Sequence, residues 1–167
     1  MSDIVLELQN VSRIFGEGDT QVKALDNDSL SIRRGEFVLI VGSSGSGKST
    51  LLNMIGLLDK PTNGKVILDG KETTTLNDNQ VSQYRNEKLG FVFQFANLLP
   101  DLPVLENVML PQQIQRSSED VRQHATDLLI KVGLEDQINK RANKISGGQA
   151  QRAAIARGLV NLSLIHI

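Results

Sequence analysis

The 167-residue chain has no cysteine and no tryptophan, only one tyrosine, five phenylalanines and four prolines. Without thiols, disulfide frameworks, thiolate zinc sites and cysteine nucleophiles are excluded, and a reducing compartment fits. So few aromatic rings cannot build the stacking surface that grips single-stranded nucleic acid. Neither charge is in excess. Eighteen Lys and Arg stand against 19 Asp and Glu, a formal net charge of −1, which argues against binding nucleic acid by bulk charge. Apolar runs are short, Phe37–Val41 and Ile55–Leu58 being the longest, against the ~18 residues of a membrane span. Met1-Ser2-Asp3 lacks the basic start and apolar stretch of a secretion signal. The expectation is a cytosolic protein of one domain, two at most, long enough to bury a core without staples. No internal repeat or low-complexity linker is present.

Hydrophobic patterning gives the coarse order of elements. Ile4–Val11 is β-like and is followed by the polar turn cluster Gly16-Glu17-Gly18-Asp19. Ala24–Ile32 alternates late, with Leu30 and Ile32 apolar, as in a half-exposed strand. Phe37-Val38-Leu39-Ile40-Val41 is continuous, branched and stopped by Gly42, which predicts a strand buried on both faces of a parallel sheet. From Gly47 a helix is expected, with Leu51, Leu52, Ile55 and Leu58 on one side and Asp59-Lys60-Pro61 ending it. Val66-Ile67-Leu68, closed by Asp69-Gly70, and Leu89–Phe93 are further strands. Val121, Ala125, Leu128, Leu129 and Val132 have helical spacing, with Ser117 as cap, Asp120 complementing the dipole and Gly133 at C′. Another helix should run from about Ser146 to Val160. Strand-to-helix alternation around Gly42 predicts an α/β fold.

Gly42-Ser43-Ser44-Gly45-Ser46-Gly47-Lys48-Ser49 matches the phosphate-loop pattern G-x-x-x-x-G-K-[ST] in full. Its glycines allow backbone N–H groups to turn inward and approach phosphate oxygens. The helix that follows, through Thr50, aims its positive end at the same place. Lys48 should reach the β and γ phosphates, and the Ser49 hydroxyl should ligate Mg²⁺. A Gly/Ser-rich linker is the bland alternative, but the motif sits between a buried strand and an amphipathic helix, as the mechanism demands. The loop alone does not choose among kinases, GTPases, helicases and transporter ATPases. A second motif, Ile145-Ser146-Gly147-Gly148-Gln149, precedes Ala150-Gln151-Arg152-Ala153-Ala154-Ile155-Ala156-Arg157-Gly158-Leu159. Ser146 suits an N-cap, and two glycines leave helix amides uncovered, either for phosphate or simply as an ordinary capped helix.

Together the two motifs resemble the ATP-binding cassette (ABC) ATPases, whose signature is L-S-G-G-Q followed by Q-R-x-x-I-A-R-A. Here Ile145 replaces Leu and Gly158 replaces the second Ala. The resemblance runs from about Ile4 to Val160. It is nearest the lipoprotein-releasing (LolD-like) and macrolide-export (MacB-like) ATPases in Gly16–Val22, Ser43–Ser46, Leu57–Gly64, Leu89–Gln94, Asn97–Pro100 and Leu105–Val108. It implies a P-loop NTPase (RecA-like) core, an N-terminal antiparallel β subdomain, and a helical subdomain over about 96–144. ATP and Mg²⁺ are the implied cofactors. Gln94 matches the Q-loop glutamine, a ligand of Mg²⁺ or of the attacking water, although a polar residue ending a strand would look the same. Phe15 matches the aromatic that stacks on adenine, with core packing as its alternative. Ser146, Gly147, Gly148 and Gln149 would close over ATP held by Lys48 and the rest of residues 42–50 of a partner, in a head-to-tail homodimer or paired domain. Transmembrane permease subunits are the implied partners, and the inner face of the plasma membrane the implied location.

The family's Walker B strand with its Asp-Glu, the D-loop and the switch histidine do not occur in these 167 residues. Val66-Ile67-Leu68-Asp69 is a decoy, placed before Gln94 and followed by Gly70; His166 comes too early to be the switch, and His124 reads as a polar-side helix residue. The closing Ser163–Ile167 reads as the start of that strand or as non-native sequence from a truncated reading frame, truncation being the expectation. The core sheet is then incomplete, with apolar faces and strand edges uncovered, and the chain alone should bind ATP without turning it over. A cell-division ATPase of the same superfamily and a catalytically dead binding fragment are the rival readings. An ABC protein of DNA maintenance is disfavoured, since 52 positions from Gln94 to Ser146 leave no room for a coiled-coil arm.

Overall fold

The computed structural model describes residues 3–115 and 120–167. The expected cap Ser117 and the Asp120 side chain lie outside the described residues. The chain divides into two compact units, Met1–Arg85 and Asn86–Ile167.

The first unit is built on an antiparallel sheet of order β2-β1-β3-β4, comprising β1 (Ile4–Phe15), β2 (Val22–Arg33), β3 (Asn63–Leu68) and β4 (Lys71–Glu72). β1 is central because both of its edges are occupied, by β2 from Ile4↔Arg33 to Phe15↔Val22 and by β3 from Leu6↔Leu68 to Ser12↔Asn63. Alternation along the strands turns Leu6, Leu8, Val11, Val66 and Leu68 inward, where each is essentially buried. The register slips around Asn10 and Asn27, both left-handed, a conformation Asn tolerates better than most residues. Ser29 Oγ and Ser12 Oγ accept the amide hydrogens of those two residues. Asp69 and Gly70, both at positive φ, make the two-residue hairpin turn into β4.

Two sequence expectations fail in this unit. Phe37–Val41 is not a buried strand. It has no regular structure, and Phe37, Leu39 and Val41 are 94 %, 74 % and 76 % exposed. A strand exists only by pairing its backbone, and among the described residues no strand pairs with this run. The helix after the glycine loop, α1 (Lys48–Ile55), is also shorter than the apolar spacing suggests. It stops at Gly56, Leu57 takes a positive φ, and Leu58 is exposed rather than part of the stripe, as is Leu52. Met54 and Ile55 are its buried residues. α2 (Asp78–Lys88) was not legible, because its polar sequence leaves no residue buried. Tyr84, whose hydroxyl donates to the Leu68 carbonyl at 2.8 Å, and Arg85, which donates to the Leu57 carbonyl at 2.8 Å, hold it in place.

The second unit packs α3 (Val104–Gln115), α4 (Asp120–Lys131) and α5 (Gly147–Leu159) around Val104, Val108, Leu129, Leu134, Ala153 and Ala156. Small residues on α5 let the other helices approach. α3 has its first amides satisfied by backbone: Val104 N–H donates to the Lys140 carbonyl and Leu105 N–H to that of Ile138. α4 ends as expected at Gly133, with the crossed bonds Leu134 N–H to Leu129 O and Gly133 N–H to Ile130 O. Fully buried Asn107 accepts from Leu99 N–H at 2.6 Å and donates to the Leu99, Leu102 and Pro103 carbonyls. It fastens the loop before α3 to the helix. His124, expected on a polar side, is only half exposed, and its Nε2 is buried without a hydrogen-bond partner.

Leu89–Phe93 is a strand only at Leu89–Gly90 (β5), which pairs in parallel with β6 (Ile165–His166). Gly90 packs so closely on α5 that a Cβ there would overlap the Gly158 carbonyl, and a Cβ on Gly158 would meet the Phe91 carbonyl oxygen at 2.9 Å. Gly158 in place of the family's Ala therefore sits at a tight backbone contact.

Asn107→Ala should lower the unfolding free energy by about 2–3 kcal/mol, the cost of stranding buried backbone groups; a urea melt of the full chain within ~0.5 kcal/mol of the parent would contradict the role given to it. Gly90→Ala should cost about 1–3 kcal/mol by overpacking, with accelerated amide exchange in β5 and α5 as its local signature.

Candidate nucleotide-binding site

The loop from Gly42 to Gly47 is shaped by backbone geometry. Ser46 N–H donates to the Ser43 carbonyl at 3.3 Å, closing a turn with Gly45 at φ +79° in its third position, as a type II turn requires. Gly47, at φ +84°, is the N-cap of α1 and offers no side chain to its amides. A Cβ at Gly47 would also overlap the Ala24 carbonyl of β2, so glycine is demanded there twice. The first amides of α1 are thus left open at the positive end of the helix. A cavity of about 220 Å³ opens over them, lined by Val22, Lys23, Ala24 and residues 45–50, including Lys48, Ser49 and Thr50.

Lys48 Nζ folds back over this loop. It donates to the Gly42 carbonyl at 2.9 Å, the Ser43 carbonyl at 2.5 Å and Ser46 Oγ at 3.3 Å. These partners are uncharged, and the ammonium stands on the same glycine-built loop that leads into the uncapped amides of α1. That arrangement favours an anion with several oxygens. Ser44 and Ser49 are exposed on the same loop and helix start.

Phe15 ends β1 opposite Val22, whose residue also lines the cavity. Phe15 is 42 % exposed, which rules out the core-packing alternative. Arg13, not singled out from sequence, places its guanidinium 4.6 Å from the centre of the Phe15 ring. A second cavity of about 220 Å³, with Leu57, Pro61, Val66, Thr73, Val81 and Arg85 among its walls, shares no lining residue with the first.

In the second unit Ser146 caps α5 as expected. Gln149 N–H donates to Ser146 Oγ at 3.3 Å, and Ser146 N–H donates to Gln149 Oε1 at 2.8 Å, a complete capping box. Gly147 and Gly148 are exposed, and a Cβ added to either would meet nothing within 4 Å. Among the described residues nothing requires them to be glycine. Ile145, in place of Leu, packs half-buried against the helical core.

Gln94 is exposed at a bend just after β5. The signature helix holds this segment by its backbone. Gln151 Nε2 donates to the Phe93 carbonyl at 2.9 Å, and Arg157 donates to the Ala96 carbonyl at 2.6 Å and the Asn97 carbonyl at 2.8 Å. Burial pulls the Arg157 guanidinium below its ordinary pKa, and the carbonyl pair supplies the partners a buried cation needs. The sequence hint was a cation between Ala156 and Gly158, at the end of a stretch whose Ala153, Ala154 and Ala156 are buried. Gln94 and Ser146–Gln149 thus belong to one unit, and residues 42–50 with Phe15 to the other. Among the described residues no cluster of three His, Asp or Glu is placed to hold a metal. Ser49 in the first unit and Gln94 in the second each carry a side-chain oxygen of the kind a hard cation takes.

The ABC transporter family model matches residues 25–167. An ABC transporter ATP-binding protein of Thermotoga maritima is 48 % identical over 94 % of this chain and 68 % of its own length. The lipoprotein-releasing system ATP-binding protein LolD of Buchnera aphidicola subsp. Schizaphis graminum is 44 % identical over 96 % of the chain and 70 % of its own length. The macrolide export ATP-binding/permease protein MacB of Hyphomonas neptunium is 45 % identical over 96 % of the chain, which spans 25 % of that relative. Among solved structures, a dimeric post-hydrolysis state of an ATP-binding cassette bound to ADP and phosphate superposes with a TM-score of 0.89 at 46 % identity, covering 96 % of this chain and 72 % of the other. With the family model spanning most of its residues, the chain belongs to the ABC transporter family.

Proposed function

We propose that the chain is the ATP-binding part of a transport-coupled ABC ATPase. The observation that carries this reading is the ammonium of Lys48, gathered with the open amides of α1 over a glycine-built loop and partnered there only by uncharged oxygens. In this reading the loop amides and Lys48 bind the β and γ phosphates, and Phe15 faces the base. The Ser49 hydroxyl and the Gln94 amide oxygen would be the protein donors to Mg²⁺, which would supply charge neutralisation at the transferred phosphoryl group.

Gly147 and Gly148 support the second half of the proposal. Glycines with open space around them and exposed helix amides fit a surface that a ligand approaches from outside the chain. That ligand would be ATP on the loop of a second cassette, in a head-to-tail pair with twofold symmetry. Permease subunits at the inner face of the membrane would be moved by closure of the pair. Among the described residues no helix is long and apolar enough to cross a membrane. Since both LolD and MacB relatives lie at similar identity, lipoprotein release and macrolide export remain equal candidates for the cargo.

Lys48→Ala should weaken ATP binding by about 10- to 100-fold, the worth of charged hydrogen bonds to phosphate. Calorimetry showing unchanged affinity in a folded variant would sink the phosphate-loop assignment. In the intact subunit, Ser146→Arg should abolish ATP-induced dimerisation while leaving monomer affinity within about twofold, because the bulk stands at the face of α5 and not at the loop. Light scattering that still shows the ATP-dependent dimer would refute the role of Ser146–Gln149.

A further inference from the structure

Beside Phe15, which pairs with the cavity wall Val22, stands a group that the phosphate-loop reading does not use. Arg13 and Phe15 stand two residues apart on β1, so their side chains share one face. The Arg13 guanidinium covers part of the Phe15 ring at 4.6 Å, yet 42 % of the phenylalanine stays exposed. Arg13 is itself tied down. Its Nε lies 2.9 Å from Asp59 Oδ2, an ion pair rather than an aligned hydrogen bond, with both side chains about three-quarters covered.

Asp59 is fixed in turn. Its Oδ1 accepts from Lys60 N–H at 2.8 Å, and its own N–H donates to the Asn53 carbonyl of α1 at 3.3 Å. The next residues are pinned along β1: Thr62 N–H donates to the Ser12 carbonyl and Ile14 N–H to Thr62 Oγ1. One rigid helix of eight residues therefore runs from the phosphate loop at Lys48 to the loop that anchors Arg13. Val22, paired with Phe15 across the strands, is a wall of the phosphate-loop cavity.

We propose that Arg13, anchored by Asp59, is a positioning residue for the nucleobase: it holds the Phe15 ring at the rim of the phosphate-loop cavity, ready to stack. This rests on the reading of residues 42–50 as a nucleotide site. An exposed ring free to change rotamer must be ordered when a base binds, and that ordering subtracts from the stacking energy. A cation over one face fixes the ring through its quadrupole before the base arrives. Charge on the other side of the ion pair matters as well. With Asp59 beside it, the guanidinium is partly neutralised and stays on the ring rather than swinging to the phosphates.

The test compares two ligands of the full chain, ATP and inorganic tripolyphosphate, by calorimetry. Arg13→Ala should weaken ATP about 3- to 10-fold and leave tripolyphosphate unchanged. Phe15→Ala should weaken ATP at least as much, and the double variant should be no weaker than Phe15→Ala alone. Arg13→Lys, which keeps a cation near the ring, should retain most of the ATP affinity. The proposal is overturned if Arg13→Ala leaves ATP binding unchanged, if it weakens both ligands alike, as a structural or phosphate-contacting role would, or if its effect multiplies with that of Phe15→Ala. A parent chain that binds neither ligand, or a Lys48→Ala variant that binds both normally, refutes the phosphate-loop reading itself and this inference with it.

Discussion

β1 has a hydrogen-bonded neighbour on each edge, and the regular structure of the first unit follows from that supply of partners. β1 and β2 each continue over twelve residues in spite of register slips at left-handed Asn10 and Asn27, because Ser12 and Ser29 fill the gaps that the slips leave in the ladder. Phe37–Val41 shows the opposite case. It is the most apolar short run in the chain, and it is exposed coil because no described strand pairs with it. Hydrophobicity says a segment wants to be covered; backbone pairing decides whether it becomes a strand. The phosphate loop begins immediately after this unpaired run and still closes, since its turn, its left-handed glycines and the Lys48 contacts are all local.

The two glycine clusters solve different problems. Gly47 is required from within: a side chain would overlap the Ala24 carbonyl, and the positive φ would strain any other residue. Gly147 and Gly148 are not required from within at all. They leave the first turn of α5 bare while the capping box of Ser146 and Gln149 keeps the helix from fraying. A helix end that is capped by side chains and yet stripped of bulk is stable and approachable together, which suits recognition of a phosphate carried on another molecule.

Local chemistry was legible in the sequence; tertiary chemistry was not. The Ser146 cap, the Gly133 terminus, the Asp69-Gly70 turn and the phosphate-loop pattern each depend on a few neighbouring residues, and each lies where the spacing places it. α2 escaped because a helix without a buried face has no period to read. The length of α1 was overestimated because Leu58 keeps the apolar spacing while Leu57 has already left the helix. The partners of Arg13 and Arg157 were not legible because they lie 46 and about 60 positions away, in Asp59 and in the carbonyls of Ala96 and Asn97.

Arg157 and Gln151 also connect two motifs that the sequence presents as independent. Both side chains leave α5 to grip carbonyls flanking Gln94. α5 in turn lies against β5 with backbone nearly touching backbone at Gly90 and Gly158. Such a contact has little compliance, since packed backbones cannot yield as a long side chain can. Three hydrogen bonds and one close packing contact thus tie α5, which begins at the Ser146 cap, to the Gln94 segment. The same glycine that departs from the family's alanine is what permits that closeness.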